Sequence, residues 1–204
     1  MDKQLADNVI LASASRHRRD LLERAGVRFR VVAAAVDEAA LRRDMAARRP
    51  APSAPDVALE LAAAKAGAVA REFSSALVIG ADQVLDCEGE IFSKPADVAA
   101  AADQLGRLAG RVHRLHSALV VSGGGSDWRY VETATMTMRG LTRTEIERYL
   151  ERAGPGVCDA VGAYHIEALG IQLFAAVEGD YFTIVGLPLL ALLGELRRRG
   201  ALEH

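Results

Sequence analysis

The run Ala76-Leu77-Val78-Ile79-Gly80 is apolar at every position, and no other feature constrains the fold as tightly. A strand with one wet face alternates apolar and polar residues. A continuous apolar strand is of the kind buried on both faces, and the flanking sequence offers helices that can cover it. Val9 to Ala12 is a second short apolar run, followed by Ser13-Ala14-Ser15 and a basic helix that ends near Gly26. Phe29 to Val32 reads as a strand leading into Val36-Asp37-Glu38. Pro50 to Pro55 breaks the chain, and Asp56 to Arg71 resumes as a helix with an apolar stripe at Val57, Leu61, Ala64 and Ala68.

Beyond the central run, Val84-Leu85 and Ile91-Phe92 flank a turn at Glu88-Gly89. Asp97 caps a helix to Leu108. Val112 to Val121 and Trp128 to Met138 are long strands joined by Gly123-Gly124-Gly125-Ser126-Asp127. No helix follows that cluster and no Gly-Lys-Ser/Thr closes it, so it reads as a flexible hairpin turn rather than a phosphate loop. Thr142 and Glu145 form a capping box for a helix to Arg152. Ile171 to Val177 and Tyr181 to Val185 read as a last hairpin, and Pro188 to Arg199 as the closing helix. Helical crossovers mixed with hairpins predict an α/β fold on a mixed sheet, within one domain over residues 1–201. The final Leu202-Glu203-His204 reads as a tag remnant.

Composition narrows the function. A net charge of −2 lacks the basic surplus of a general nucleic-acid binder, yet leaves room for arginines and lysines to converge on a small anion. Cys87 and Cys158 form neither a CxxC nor a Cys/His array and read as reduced thiols. No apolar run reaches the ~20 residues of a membrane span. Met1 to Asn8 contains two aspartates and no apolar core, unlike a secretory leader. These readings predict a cytoplasmic protein with no nucleic-acid or membrane partner.

Several residues can carry chemistry. Ser13-Ala14-Ser15 stands between a buried strand and a helix start. There, small residues let backbone N–H groups approach a ligand and the helix dipole favours an anion. Arg16, Arg18 and Arg19 lie in the first turn, where cations oppose that dipole unless an anion offsets them. Asp82, expected at the C-terminal end of the central strand, occupies the position where open α/β sheets place ligands; Gln83 would point the opposite way if the strand continued. Asp37-Glu38 can supply a second carboxylate. Lys65 and Lys94 are flexible point charges able to reach phosphate. His113 and His116, three apart on a predicted strand, face opposite ways. His17 and His165 read as isolated, and no HExxH, GxSxG, Walker or GxGxxG sequence occurs.

Taken in order, these segments resemble the Maf family of nucleotide pyrophosphatases. The matching stretches are Ile10 to Ser15 with Arg18 and Leu21-Leu22, Val36-Asp37-Glu38, Leu61 to Ala66, and Val78 to Val84. They continue through Ser93-Lys94-Pro95, Val161 to Tyr164, Glu178 to Tyr181 and Val185 to Leu189. The resemblance implies a two-lobed fold with a central cleft, similar to inosine triphosphate pyrophosphatase, and hydrolysis of a nucleoside triphosphate between its α and β phosphates. It implies Asp82 as the proton acceptor and Glu38 as its partner in holding a divalent cation, Mg or Mn. It places Ser13, Ser15, Arg18, Lys65 and Lys94 along the phosphates, and a homodimer is typical of the family. Where many members have Ser-Pro-Arg-Arg, this chain has Ser15-Arg16-His17-Arg18. His17, Gln83 and Glu167 bring it closer to the branch resembling 7-methyl-GTP pyrophosphatases, with Glu167 suited to purine N–H groups or a cationic methylated base. The alternative implied by the family is a non-catalytic nucleotide-binding regulator of cell division.

Overall fold

The central strand runs further than its apolar stretch. In the computed structural model, which describes residues 8–202, β3 spans Leu77–Cys87 and pairs antiparallel with β5 (Val112–Ser122) from Val78 to Asp86. Asp82 therefore lies in the middle of the strand and not at its end. The polar pair Asp82-Gln83 does not stop β3 because each side chain finds polar partners, and apolar residues resume at Val84 and Leu85.

Among the described residues seven strands form one mixed sheet, in the order β2 (Arg30–Val31), β1 (Val9–Leu11), β3, β5, β6 (Trp128–Met138) and β7 (Phe174–Glu178), with β4 (Glu90–Phe92) paired to β3. β1 is parallel to β2 and to β3; the remaining pairings are antiparallel. Between β1 and β2 lies α1 (Arg16–Arg24). α2 (Glu38–Ala47) and α3 (Ala54–Ala70) precede β3, and α4 (Val98–Leu108) links β4 to β5. A hairpin leads to β6, then come α5 (Arg143–Ala153), β7, α6 (Tyr181–Val185) and α7 (Leu189–Arg198).

Both faces of the sheet are covered, as the apolar run predicts. On one face Val78, Val84, Ala118 and Val120 pack with Ala58, Leu61, Ala62 and Ala66 of α3. On the other, Leu77, Ile79, Ala81, Leu119 and Val121 pack with Leu22 of α1 and Leu192 and Leu196 of α7. A third cluster gathers Leu85, Leu115 and Met136 with α4 and α5 through Leu105, Leu108, Ile146 and Leu150. Half of the predicted stripe of α3 holds: Val57 and Leu61 are buried together with Ala58, Ala62, Ala66 and Val69, while Ala64 and Ala68 are only partly buried. In an alanine-rich helix, side-chain size marks the inner face poorly. Gly80 lies opposite that face, where a Cβ would stand 2.2 Å from the Ala62 carbonyl oxygen and 2.7 Å from Ala66 N.

Other expectations need correcting. α2 was not anticipated; Asp37 caps it, accepting from Ala40 N at 2.9 Å. α3 begins earlier than Asp56, which instead closes a capping box with Ser53. Tyr181–Val185 is a helix and not a strand: Asp180 accepts from Thr183 N at 2.8 Å and Gly186, at φ 108°, ends it in the left-handed region. Those two caps override the β-favouring side chains between them. Its expected partner strand shrinks to Phe174–Glu178, which pairs with β6. The glycine hairpin after β5 is pinned, because Arg199 donates to the carbonyls of Gly123 and Ser126. Leu202 packs against the core rather than trailing free, and residues 203 and 204 lie outside the described residues. So does the Met1 to Asp7 part of the segment judged unlike a leader.

Two predictions follow from this packing. Gly80→Ala should destabilise by roughly 1–3 kcal/mol, because backbone of α3 must yield; an unchanged urea midpoint would contradict the close contact. The second concerns His113, buried and bonded at 2.8 Å to the Tyr164 hydroxyl. Burial pushes its imidazole down to about 4. Below pH 6.5 the unfolded chain takes up a proton that the folded one refuses, so stability is complete above that pH and lost towards pH 4. The loss amounts to roughly 3 kcal/mol. Urea titrations at pH 7 and 4.5 should show a smaller acid loss in His113→Gln than in the wild type, and parallel losses would contradict the assignment.

Candidate active site

Alternation along β3 sends Asp82 and Gln83 to opposite faces. Asp82 shares the side of Gly80 and meets α3, where Lys65 lies three residues beyond Ala62. Lys65 Nζ donates to Asp82 Oδ1 at 2.6 Å and stands 2.9 Å from Glu38 Oε1. One ammonium thus joins carboxylates from β3 and from the first turn of α2. The Lys65 and Asp82 side chains are only 11% and 6% exposed, whereas Glu38 is 43% exposed, so the trio has a sheltered end and an open end. Burial pushes the Glu38 carboxyl up, but the hydrogen bond and charge of Lys65, with Arg42 and Arg18, outweigh it and hold the group below its ordinary value. Asp82 Oδ2 is buried without a hydrogen-bond partner among the described residues, with Arg42 Nη2 3.6 Å away.

These groups line a cleft of ≈390 Å³, a volume suited to a small-molecule ligand. Ser15 and Arg18 approach it from α1, and Lys94 reaches it from the segment after β4. Of the three first-turn arginines only Arg18 is buried; Arg16 and Arg19 pair outside with Asp20. Arg18 Nε donates to Gly186 O at 2.8 Å, and Nη1 to Ala81 O at 2.8 Å and Ser13 Oγ at 3.2 Å. A guanidinium has five N–H donors, so the pair on Nη2 is left for a ligand. Burial lowers the Arg18 pKa, opposed by the charges of Asp82 and Glu38. Ser13 does not line the cleft; it sits behind Arg18 and props it. Ser15 caps α1, whose first turn contains no acid.

Gln83 also borders the cleft, with Nε2 3.0 Å from each of Ser117 Oγ, Thr183 O and Ile184 O. That leaves Oε1 as its uncommitted group. At the far rim His17 Nε2 lies 3.1 Å from Glu167 Oε1. Burial lowers the His17 pKa, against the pull of the Glu167 charge. His17 and His165 are not isolated: their ring centroids are 4.7 Å apart. His113 and His116 do face opposite ways, towards Tyr164 and Thr133 respectively. Neither cysteine is in a disulfide.

Arg42 was missed. Its signal was present in the i, i+4 spacing from Glu38, but that spacing means something only once α2 is recognised. His165 was missed as a neighbour of His17 because the two are distant in sequence.

A family model described as Maf-like protein matches residues 8–199. The chain is 50% identical to a 7-methyl-GTP pyrophosphatase of Rhizobium meliloti (strain 1021) over 196 residues, covering 96% of this chain and 98% of that protein. It is 49% identical to a nucleoside triphosphate pyrophosphatase of Paramagnetospirillum magneticum, over 95% of this chain and 99% of that one. It is 46% identical to a nucleoside triphosphate pyrophosphatase of Nitrobacter hamburgensis, over 96% and 95%.

Removing Lys65 should be costly, because it leaves the sheltered Asp82 carboxylate without its hydrogen bond and with only Arg42 nearby, at 3.6 Å. Lys65→Met is expected to lose roughly 3 kcal/mol in urea unfolding, against less than about 0.5 kcal/mol for Arg16→Ala in the exposed Arg16–Asp20 pair. Equal effects would show that the Lys65 bridge is only a surface contact.

Proposed function

This chain belongs to the Maf family, and from that premise we propose that it hydrolyses a nucleoside triphosphate to the monophosphate and pyrophosphate in this cleft. The observation that carries the reading is the Lys65 bridge between Asp82 and Glu38. It sits in a cavity that Arg18, Arg42 and Lys94 also line. A triphosphate needs several cations and N–H donors converging on one end, with an acid beside them to handle a water.

Asp82 Oδ2, without a hydrogen bond, is the atom suited to orient a water towards the α phosphorus and take its proton. The new P–O bond forms as the bond to the bridging oxygen breaks, and pyrophosphate departs. Lys65, Arg42, Lys94 and the free Nη2 donors of Arg18 offset the charge that collects on the phosphate oxygens. The Glu38 and Asp82 oxygens are the hard donors that magnesium or manganese prefers, and the unpartnered Oδ2 fits that use as well. Glu38 and Asp82 would hold such an ion, and it would supply charge neutralisation and Lewis acidity at the phosphates.

We assign the base to the opposite rim, where His17 can stack and the Glu167 carboxylate can accept purine N–H groups or face a cationic 7-methylguanine. Gln83 Oε1 is a further acceptor there. The free thiols agree with a reducing compartment such as the cytoplasm. Among the described residues no helix is long and apolar enough to cross a membrane. The relatives' names favour catalysis over a purely regulatory role.

The test is a panel of nucleoside triphosphates that includes 7-methyl-GTP, incubated with Mg²⁺ and assayed for pyrophosphate. The expected result is equimolar monophosphate and pyrophosphate, with Glu167→Gln raising KM for the preferred purine more than it lowers kcat. No pyrophosphate from any member would overturn the reading.

A further inference from the structure

The rim of the cleft contains a cluster that phosphate chemistry does not use. A ring nitrogen of His17, one of His165 and a Glu167 carboxylate oxygen lie within 4.8 Å of one another. His165 Nε2 is 3.0 Å from Gly156 O. A carbonyl oxygen only accepts, so that nitrogen bears the hydrogen, and the other ring nitrogen, Nδ1, faces Glu167 Oε1 3.9 Å away. A ring nitrogen from each histidine and a carboxylate oxygen converging at this spacing can share one cation. A backbone carbonyl holding the outer N–H is also the usual way a ligating imidazole is oriented.

We propose that His17, His165 and Glu167 form a site for a divalent transition-metal ion such as Zn²⁺, separate from the all-oxygen pair Glu38 and Asp82. Two imidazoles and one carboxylate are a ligand set for zinc, nickel or copper and a poor one for magnesium. Three protein ligands leave a coordination position open. Ligand bonds of about 2.1 Å bring donors to roughly 3.3 Å apart, and His17 Nε2 and Glu167 Oε1 already stand at 3.1 Å. His165 has only to close a small gap, and all three side chains are partly exposed, at 36%, 21% and 28% for His17, His165 and Glu167.

The consequence for turnover rests on the base assignment made above. An ion there takes His17 and Glu167 away from the base, so Zn²⁺ should inhibit even when Mg²⁺ is abundant. Binding itself does not depend on that assignment.

Isothermal titration of the full chain with Zn²⁺, under excess Mg²⁺ to fill the oxygen site, is the direct test. One Zn²⁺ per chain is expected, weakened by about tenfold or more in His17→Gln and in His165→Gln. It should be unchanged in Asp82→Asn and in Cys158→Ser. Copper-loaded wild-type protein, which needs no variant to fold, should show electron paramagnetic splitting from two imidazole nitrogens. No Zn²⁺ binding up to about 1 mM, binding indifferent to both histidines, or a copper spectrum without nitrogen splitting would overturn the site. Binding as expected with turnover undiminished would support the metal site and contradict the base assignment, so the two failures are distinguishable.

Discussion

How closely α3 lies on β3 at Gly80 governs the arrangement of the cleft. A Cβ at Gly80 would stand 2.2 Å from the Ala62 carbonyl oxygen, so only glycine lets the helix seat at that depth. Lys65 lies nearly one helical turn beyond Ala62, and Asp82 follows Gly80 on the same face of the strand. The contact that sets the helix depth therefore also sets the 2.6 Å bond between Lys65 and Asp82. Glu38 and Arg42 join from α2, one turn apart on the same helix, and a charged centre is assembled from three elements around one absent side chain.

A second constraint ties the two ends of the chain together. Arg18, near the start, donates to Gly186 O, near the end, and to Ala81 O on β3. Gln83, on the opposite face from Asp82, is held by Thr183 and Ile184 of α6. The short α6 with its Asp180 and Gly186 caps thus acts as a clamp: it orients Arg18 and Gln83 by backbone carbonyls, which are fixed more firmly than side chains. Charge repulsion among Arg18, Arg42, Lys65 and Lys94 is offset by Asp82 and Glu38, and a polyanionic ligand would complete that balance.

Much of this was legible in the sequence, for identifiable reasons. The apolar run at Ala76–Gly80 announced a doubly covered sheet, and the capping box of Thr142 and Glu145 located α5. Most of the acids and cations of the cleft, among them Arg18, Glu38, Lys65, Asp82 and Lys94, were also found, because motif order preserves them. What failed was information held in tertiary partners. Asp82-Gln83 read as a strand end because Lys65 and Ser117, which satisfy them, are far away in sequence. Tyr181–Val185 read as a strand because its residues favour one, and two caps decided otherwise. α2 was invisible beside the proline-rich break, and Arg42 was lost with it. His17 and His165 are 148 positions apart in number, and only the fold brings their rings together.

The central claim is that Lys65 and Asp82 act as one unit at the reacting phosphate. A double-mutant cycle on kcat/KM for pyrophosphate release tests it most directly, using Lys65→Met, Asp82→Asn and the double variant. Strong coupling is predicted, with the double variant losing little more than Asp82→Asn alone. Losses that simply multiply, or an Asp82→Asn enzyme turning over at the wild-type rate, would contradict the account.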